Sequence, residues 1–227
     1  MLTVEELYLL LTRENGDPEV HGLRFGHGLT SALLTDLVVA GRIAITDGDT
    51  PCVQVLSRTL TEDLVLDFGL ELVSDKDSRP LESIIRWGRL DPEIAVVESL
   101  VQAGVLRRGA RRLFGFGLHR TPAADPLPKR RVRERLAAAF AGDVPPTPGD
   151  ATIVAALKAM LVAPQLLHDL VDATGPDDLD RRIDALVAST PLPGAAVARA
   201  VVDMQLARST GPRSSGPGPE STSGGVI

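Results

Sequence analysis

The segments LVVAGRI at residues 37–43 and LVQAGVL at residues 100–106 repeat one pattern 63 residues apart. In each segment, aliphatic residues at helical spacing lead to a glycine, and a short apolar run follows. Glycine tolerates the left-handed conformation that often ends a helix, so each segment predicts a helix that stops at Gly41 or Gly104 and continues as a short strand. Two such units predict a helical scaffold.

The composition favours the same fold class. The chain has 227 residues, of which 44% are hydrophobic but only 3% are aromatic. Its core must therefore be built from Leu, Val, Ile and Ala, which suits packed helices better than aromatic-rich sheets. We predict a mainly α fold, a compact single-domain helical bundle with two small β-hairpins, over residues 1–208. The Ser-, Gly- and Pro-rich residues 209–227 are predicted to form a disordered tail.

Local signals place the individual elements. A Thr3/Glu6 capping box predicts a first helix from about Val4 to Arg13. A glycine-rich loop over residues 16–28 is expected to precede a second helix from about Leu29 to Ala40. The predicted hairpins join residues 42–46 with 53–56 and 105–107 with 112–118. Further helices are predicted at about 64–73 with Thr61 as cap, 80–87, 92–104, 127–140, 151–162, and in two segments that end near Ala207.

Two features bear on the compartment. Cys52 is the single cysteine, which excludes an internal disulfide and favours a reducing environment. No basic and cleavable apolar leader precedes the first predicted helix, so a cytoplasmic location is expected. The longest apolar stretch, residues 151–163, contains Lys158 and is shorter than the roughly 20 residues that span a bilayer. It predicts a buried core helix.

Charge is distributed unevenly along the chain. The net charge is −6. Within the basic segment, defined here as residues 106–136, ten basic residues outweigh Asp125 and Glu134 to give +8, which leaves −14 on the rest. This asymmetry predicts a surface that attracts phosphate on one side and repels it elsewhere. The ten are Arg107, Arg108, Arg111, Arg112, Arg120, Lys129, Arg130, Arg131, Arg133 and Arg135.

The turn of the second predicted hairpin is the first candidate site. It carries Arg107, Arg108, Arg111 and Arg112, which could contact the phosphates of lipid or nucleic acid. The alternative is that these charges only prevent unwanted strand pairing. On the helix that follows, Glu134 can pair with a neighbouring arginine one turn away, so part of the basic segment could be neutralised internally.

A second candidate site combines Arg86 and Arg89, on either side of Trp87, with Arg24. The two closely spaced arginines precede a helix start marked by Pro92, where free backbone N–H groups favour anions. The three arginines could therefore form a phosphate pocket. The alternative is that the arginines are only solvated and that Trp87 belongs to the core.

No residue pattern predicts catalysis, a metal or a cofactor. The four histidines, His21, His27, His119 and His168, show no ligand spacing. There is no Gly-x-Ser-x-Gly elbow and no Walker loop, and the acidic run Asp177, Asp178 and Asp180 is typical of a helix start. A non-enzymatic protein is expected.

The order of these pieces resembles the Golgi phosphoprotein 3 family, over roughly residues 2–206. The family is mostly helical, and its eukaryotic members bind phosphatidylinositol 4-phosphate. The resemblance implies a peripheral membrane role through an anionic headgroup pocket, and self-association through the hairpin at residues 105–118. It is carried by LTVEEL at 2–7, GL at 28–29, LLTDL at 33–37, GRI at 41–43, LVQAGVL at 100–106, HRTP at 119–122 and DP at 125–126.

The headgroup positions of the family differ in this chain. Where its lipid-binding members carry a tryptophan and three arginines, the alignment places His21, Thr30, Leu90 and Glu93. A 4-phosphate is normally held by several charge-assisted hydrogen bonds, each contributing about 1.5–3 kcal/mol. We therefore expect little preference for phosphatidylinositol 4-phosphate over other lipids of equal charge.

These observations support two functional hypotheses. The first is a non-enzymatic peripheral protein that binds anionic lipid on the cytoplasmic membrane face and acts as an adaptor for partners that the sequence leaves unnamed. The second is a winged-helix-like nucleic-acid binder, because helix, glycine, strand and arginine-tipped hairpin also build a wing. The acidic total, and a second predicted helix without side chains that read base edges, favour the first.

Overall fold

The computed structural model of the chain describes residues 1–20, 23–87, 90–108, 121–171, 175–191 and 195–209. Helices dominate these ranges, and one small antiparallel sheet accompanies them, so the predicted mainly α class is confirmed. The elements are α1 (Thr3–Leu10), α2 (Leu23–Val39), β1 (Ile43–Ile45), β2 (Val53–Val55), α3 (Leu64–Val73), α4 (Leu81–Ile85), α5 (Glu93–Gln102), α6 (Leu127–Ala141), α7 (Pro148–Ala159), α8 (Ala163–Leu167), α9 (Pro176–Ser189) and α10 (Ala196–Ser209).

The centre of the fold is α2, which packs against α1, α3, α7 and α10. Every residue from Gly28 to Leu37 is buried, so the helix is covered on all sides. The second central helix is α7, where residues 150–158 are all buried, including Lys158. This confirms the core helix that the apolar stretch predicts. A helix buried all round needs apolar or internally paired residues on every face, and both helices have them.

The repeated helix-glycine unit is confirmed in detail. Gly41 and Gly104 have φ values of +65° and +72° and end α2 and α5 in the same way. The Arg42 amide donates to the Leu37 carbonyl at 2.9 Å, and the Val105 amide donates to the Leu100 carbonyl at 2.9 Å. Such a bond runs back across the last helical turn and gives a hydrogen-bond donor to a backbone carbonyl that has no partner within the helix.

The first predicted hairpin is confirmed, with β1 and β2 antiparallel and Ala44 opposite Gln54. Gly48 in the turn has a φ of +123°, which only glycine adopts readily. For the second predicted hairpin, the return strand at residues 112–118 lies outside the described residues. Within them, the strand predicted at residues 105–107 is wrong, because Leu106 forms only an isolated antiparallel bridge, and its partner is Ala123.

Two predicted helix caps are wrong. Thr3 is the first residue of α1 rather than its cap, because the buried Asp36 carboxylate accepts hydrogen bonds from the Thr3 and Val4 amides at 2.8 and 2.9 Å. Asp63, not Thr61, caps α3 by accepting from two amides of its first turn. A carboxylate accepts the amide hydrogen bonds at a helix start more strongly than a hydroxyl, since it is charged.

The predicted start of the second helix is also wrong. Gly26 and Gly28 lie inside α2, which begins at Leu23 rather than at Leu29. A Cβ at Gly28 would lie 2.9 Å from Met160 Sδ, so the absent side chain lets α2 approach the end of α7. Gly28, which contributes to a loop signal in the sequence, therefore serves close helix packing.

Two further predictions lie partly or wholly outside the described residues. α10 ends at Ser209, close to the predicted limit near Ala207. The disordered tail at residues 209–227 stays a prediction. Among the described residues, no helix is both long and apolar enough to cross a membrane.

Candidate functional site

Much of the basic segment is used for internal contacts. The Lys129 ammonium donates to the Thr12 carbonyl at 2.7 Å, and burial lowers its pKa. Arg133 donates to both carboxylate oxygens of Asp169 and to the Leu166 carbonyl, and this guanidinium holds the pKa of Asp169 below its usual value. These two charged side chains bind α6 to its neighbours. Because their hydrogen bonds are made within the protein, they are not available to an external phosphate.

Among the arginines of the basic segment that the structure describes, Arg135 binds two carboxylates at once. In what we term the Arg135 cluster, its guanidinium forms two hydrogen bonds with Glu6 of α1, at 2.9 and 2.5 Å, and one of 2.8 Å with the buried Asp150 of α7. Hydrogen bonds to Glu6 are the main cause of its raised pKa. The cluster joins the first helix to α6 and α7, so Arg135 is structural.

The exposed remainder of the basic segment begins where α5 ends. Arg107 and Arg108 are exposed, and neither forms an ion pair within the described part of the chain. On α6, Arg131 is exposed and Arg130 lies 3.8 Å from Glu134, the pairing that the sequence suggested. The candidate residues Arg111 and Arg112 lie outside the described residues, and so does Arg120.

The second candidate site is brought together in part. Arg24, from the first turn of α2, and Arg86, at the end of α4, line one cleft, which we term the arginine cleft. Arg86 forms an ion pair of 2.5 Å with Glu82 one turn earlier. Arg89 lies outside the described residues. The Trp87 side chain is half-buried, with the Lys76 ammonium 4.5 Å from its ring centroid, so it packs partly against the core.

Sequence reasoning missed the other residues of the arginine cleft. His27 and Ser31 lie along the same face of α2 as Arg24, and Ile85, Ala159, Met160 and Val201 supply an apolar floor. Residues 24, 27, 28 and 31 follow helical spacing, but this signal was hidden because the helix was expected to begin at Leu29. The floor comes from α4, α7 and α10, which only the tertiary fold brings together.

The aligned headgroup positions form no basic pocket among the described residues. Thr30 is buried and donates to the Leu90 carbonyl at 2.5 Å, and Leu90 is itself buried. Burial, with Asp91 nearby, raises the pKa of Glu93. His21 lies outside the described residues. Two buried uncharged side chains and one carboxylate present no cationic group to a phosphate at the three aligned positions that the structure describes.

Neither repeat unit offers a recognition helix for nucleic acid. The ten consecutive buried residues of α2 prevent it from entering a groove. On α5 the exposed side chains include Ile94, Glu98 and Gln102, and Glu98 would repel the phosphate backbone. Within the described ranges, no group of three or more His, Cys, Asp or Glu side chains is arranged to hold a metal ion.

Comparison with known proteins supports the resemblance that the sequence suggests. The model of the Golgi phosphoprotein 3 family matches residues 4–204 of the 227-residue chain. Comparison with the curated proteins gives no match. The matched region takes in all but the first residue of α1, the whole of α2 to α9 and most of α10, including both repeat units and the arginine cleft. The chain belongs to the Golgi phosphoprotein 3 family.

Proposed function

We propose that this protein is a non-enzymatic peripheral protein that binds anionic lipid on the cytoplasmic face of a membrane. Membership of its family is consistent with a lipid-binding or adaptor role. The observation that carries the proposal is the exposure of Arg107 and Arg108, while Lys129, Arg133 and Arg135 of the same basic segment are bound internally. Arg111 and Arg112 follow three and four residues after Arg108 in the sequence and belong to the same candidate site.

The attraction should be electrostatic rather than specific for one headgroup. Basic residues near an anionic surface contribute about 1 kcal/mol each, and this attraction weakens within a Debye length of about 8 Å at physiological salt. Among the aligned headgroup positions that the structure describes, Thr30 and Leu90 are buried and uncharged and Glu93 is acidic. We therefore expect phosphatidylinositol 4-phosphate and phosphatidylserine vesicles of equal surface charge to bind the protein about equally.

Replacing Arg107, Arg108, Arg111 and Arg112 together by Ser should lower binding to phosphatidylserine vesicles by up to roughly a thousandfold at low salt, because four charges of about 1 kcal/mol each are removed. Replacing Arg86 and Arg89 by Ser should lower it less. The measurement is vesicle sedimentation at low and at physiological salt, with phosphatidylcholine vesicles as the uncharged control. Strong selectivity for the 4-phosphate, or loss of binding only with Arg86 and Arg89, would contradict the proposal.

A nucleic-acid binder is tested in the same experiment. A duplex-DNA shift assay at matched salt should give weaker binding than the anionic vesicles. The fold favours this result because α2 is buried and α5 exposes Glu98. Tighter binding to the duplex would replace the lipid proposal with the nucleic-acid one.

Self-association is a separate prediction, which follows from the family resemblance at the hairpin 105–118. Deleting residues 107–113 should abolish a concentration-dependent oligomer, because the deletion removes its connecting element. Sedimentation velocity over a range of protein concentrations measures this change. Unchanged sedimentation after the deletion would contradict the prediction of self-association through this hairpin. Vesicle binding is a separate measurement and does not decide this point.

A further inference from the structure

We infer that Lys129 is a site of covalent N-acylation by small acyl phosphates, which reach its amine through the groove between α1 and α6. In this reaction the lone pair of the neutral amine attacks the carbonyl carbon, an amide bond forms, and the bond from that carbon to the phosphate oxygen breaks. The phosphate leaves with the bonding electron pair and takes up the proton that the nitrogen loses. This modification goes beyond the proposed function and does not require a membrane.

The groove between α1 and α6 has a volume of about 690 Å³, which is ample for a two-carbon acyl phosphate. Lys129 lines it together with Thr12 and Arg130. The apolar part of its wall comes from the end of α1, from α6 and from the bridged segments between them. These apolar residues are Leu9, Leu106, Ala123, Ala137 and Leu170.

The Lys129 amine is held in place without a carboxylate. Its Nζ donates to the Thr12 carbonyl at 2.7 Å, and no carboxylate of the described residues lies within ion-pair distance of it. A neutral lysine amine has two N–H groups and one lone pair. One N–H can keep the hydrogen bond to Thr12, so the lone pair is left for an electrophile in the groove.

The wall of the groove also favours the neutral form of this amine. Burial lowers the pKa of Lys129 and outweighs the carboxylates of Glu19 and Glu14, which raise it, while Arg133 lowers it further. A desolvated lysine beside another cation is activated as a nucleophile, because more of it is unprotonated near neutral pH. The other charged residues that line the groove are Arg13, Asp125, Arg130 and Glu134.

Arg130 accounts for the preference for an acyl donor that carries phosphate. It follows Lys129 on α6 and lines the same groove, and its side chain is 62% exposed and 3.8 Å from Glu134. Arg13 and Arg133, in contrast, are already bound to carboxylates at short distance. The loosely paired Arg130 guanidinium can therefore bind the phosphate while the acyl carbonyl approaches the amine.

The other lysines have different surroundings. The chain contains three lysines, Lys76, Lys129 and Lys158. The Lys158 ammonium lies 2.7 Å from the Asp184 carboxylate, and the Lys76 ammonium lies 4.5 Å from the centroid of the Trp87 ring. Each of these contacts occupies the ammonium and covers part of it. Among the three lysines we therefore expect Lys129 to be acylated fastest.

The experiment is incubation of the full chain with acetyl phosphate, followed by peptide mass spectrometry at successive times. Lys129 should be acetylated severalfold faster than Lys76 and Lys158, with the N-terminal amine scored separately. The rate at Lys129 should reach half its maximum at a lower pH than the side-chain amine of free Nα-acetyl-lysine amide, because burial lowers the pKa of Lys129. Equal or faster acetylation of another lysine, or a half-maximum no lower than that of the free amine, would overturn the site.

Two α6 variants test the phosphate contact. Arg130→Ser should slow acetylation of Lys129 by acetyl phosphate roughly threefold to tenfold but leave the rate with p-nitrophenyl acetate unchanged, since that donor has no phosphate. Arg131→Ser is the matched control, because Arg131 is exposed on the same helix and is not among the described residues that line the groove. No slowing, equal slowing with both donors, or equal slowing in both variants would overturn the role of Arg130.

Lys129→Arg keeps the positive charge and removes the nucleophile. The fastest phase of lysine acetylation should disappear, while the circular dichroism spectrum stays that of the unchanged protein. Survival of that phase in the folded variant would overturn the assignment to Lys129. In the unchanged protein, acetylation replaces the charged donor to Thr12 with a neutral amide and removes one of the ten positive charges of the basic segment.

Discussion

Replacing Arg135 by Met is expected to lower the free energy of unfolding by about 3 kcal/mol, the lower end of the cost of breaking a buried ion pair. The guanidinium is the shared partner of Glu6 and of Asp150, whose side chain is only 1% exposed. Methionine preserves much of the side-chain volume but leaves both carboxylates without their cation. The lower end of the range applies because the Arg135 side chain is itself 34% exposed.

Urea unfolding followed by circular dichroism measures this change. Arg130→Met is the matched control, since it lies on the same helix and its pair with Glu134 is exposed and 3.8 Å long. Exposed pairs contribute about 0–1 kcal/mol, so the control should be close to the unchanged protein. Equal losses for the two variants would show that the Arg135 cluster has no special role in stability.

Asp36 is expected to make the protein more stable in mild acid than at neutral pH. Burial raises its pKa from 3.8 to about 6, in opposition to the hydrogen bonds from Thr3 and Val4. Because the folded state holds this proton more tightly than the unfolded state, the contribution is fully present below about pH 3.8 and is lost as pH rises through about 6. The shift corresponds to on the order of 3 kcal/mol.

Asp36→Asn isolates this contribution from those of the other titrating groups. Asparagine is uncharged at every pH, so unfolding free energies measured from about pH 4 to about pH 8 should change differently for the two proteins. The unchanged protein should lose stability relative to the variant as pH rises, mostly between pH 4 and 6. A difference that stays constant, or that grows in favour of the aspartate, would contradict a raised pKa.

The helices were predictable where the signal is local. Aliphatic spacing ahead of Gly41 and Gly104 predicted how α2 and α5 end, because the left-handed glycine and its backbone hydrogen bond involve only neighbouring residues. The start of α2 was not predictable in this way. Gly26 and Gly28 carry a loop propensity, and the close contact that explains Gly28 is with Met160, which lies more than 130 residues away.

The ion pairs of the basic segment were likewise predictable only where the two partners lie close together in the sequence. The sequence correctly predicted that Glu134 pairs with a nearby arginine, since the two lie one helical turn apart. It could not predict that Arg135 binds Glu6, because 129 residues separate them and neither residue carries a local signal for the other. Counting charges along the sequence therefore overestimated how much of the charge of the basic segment is exposed at the protein surface.

The central position of α2 also governs when the protein can fold during synthesis. Its partners come from both ends of the chain, with α1 before it and α7 and α10 far behind. At about 5–20 residues per second, a ribosome takes roughly 7–30 s to proceed from α1 to Asp150. Throughout that interval the apolar faces of α1 and α2 lack their C-terminal cover, so we expect the nascent chain to expose hydrophobic segments of the kind that chaperones bind.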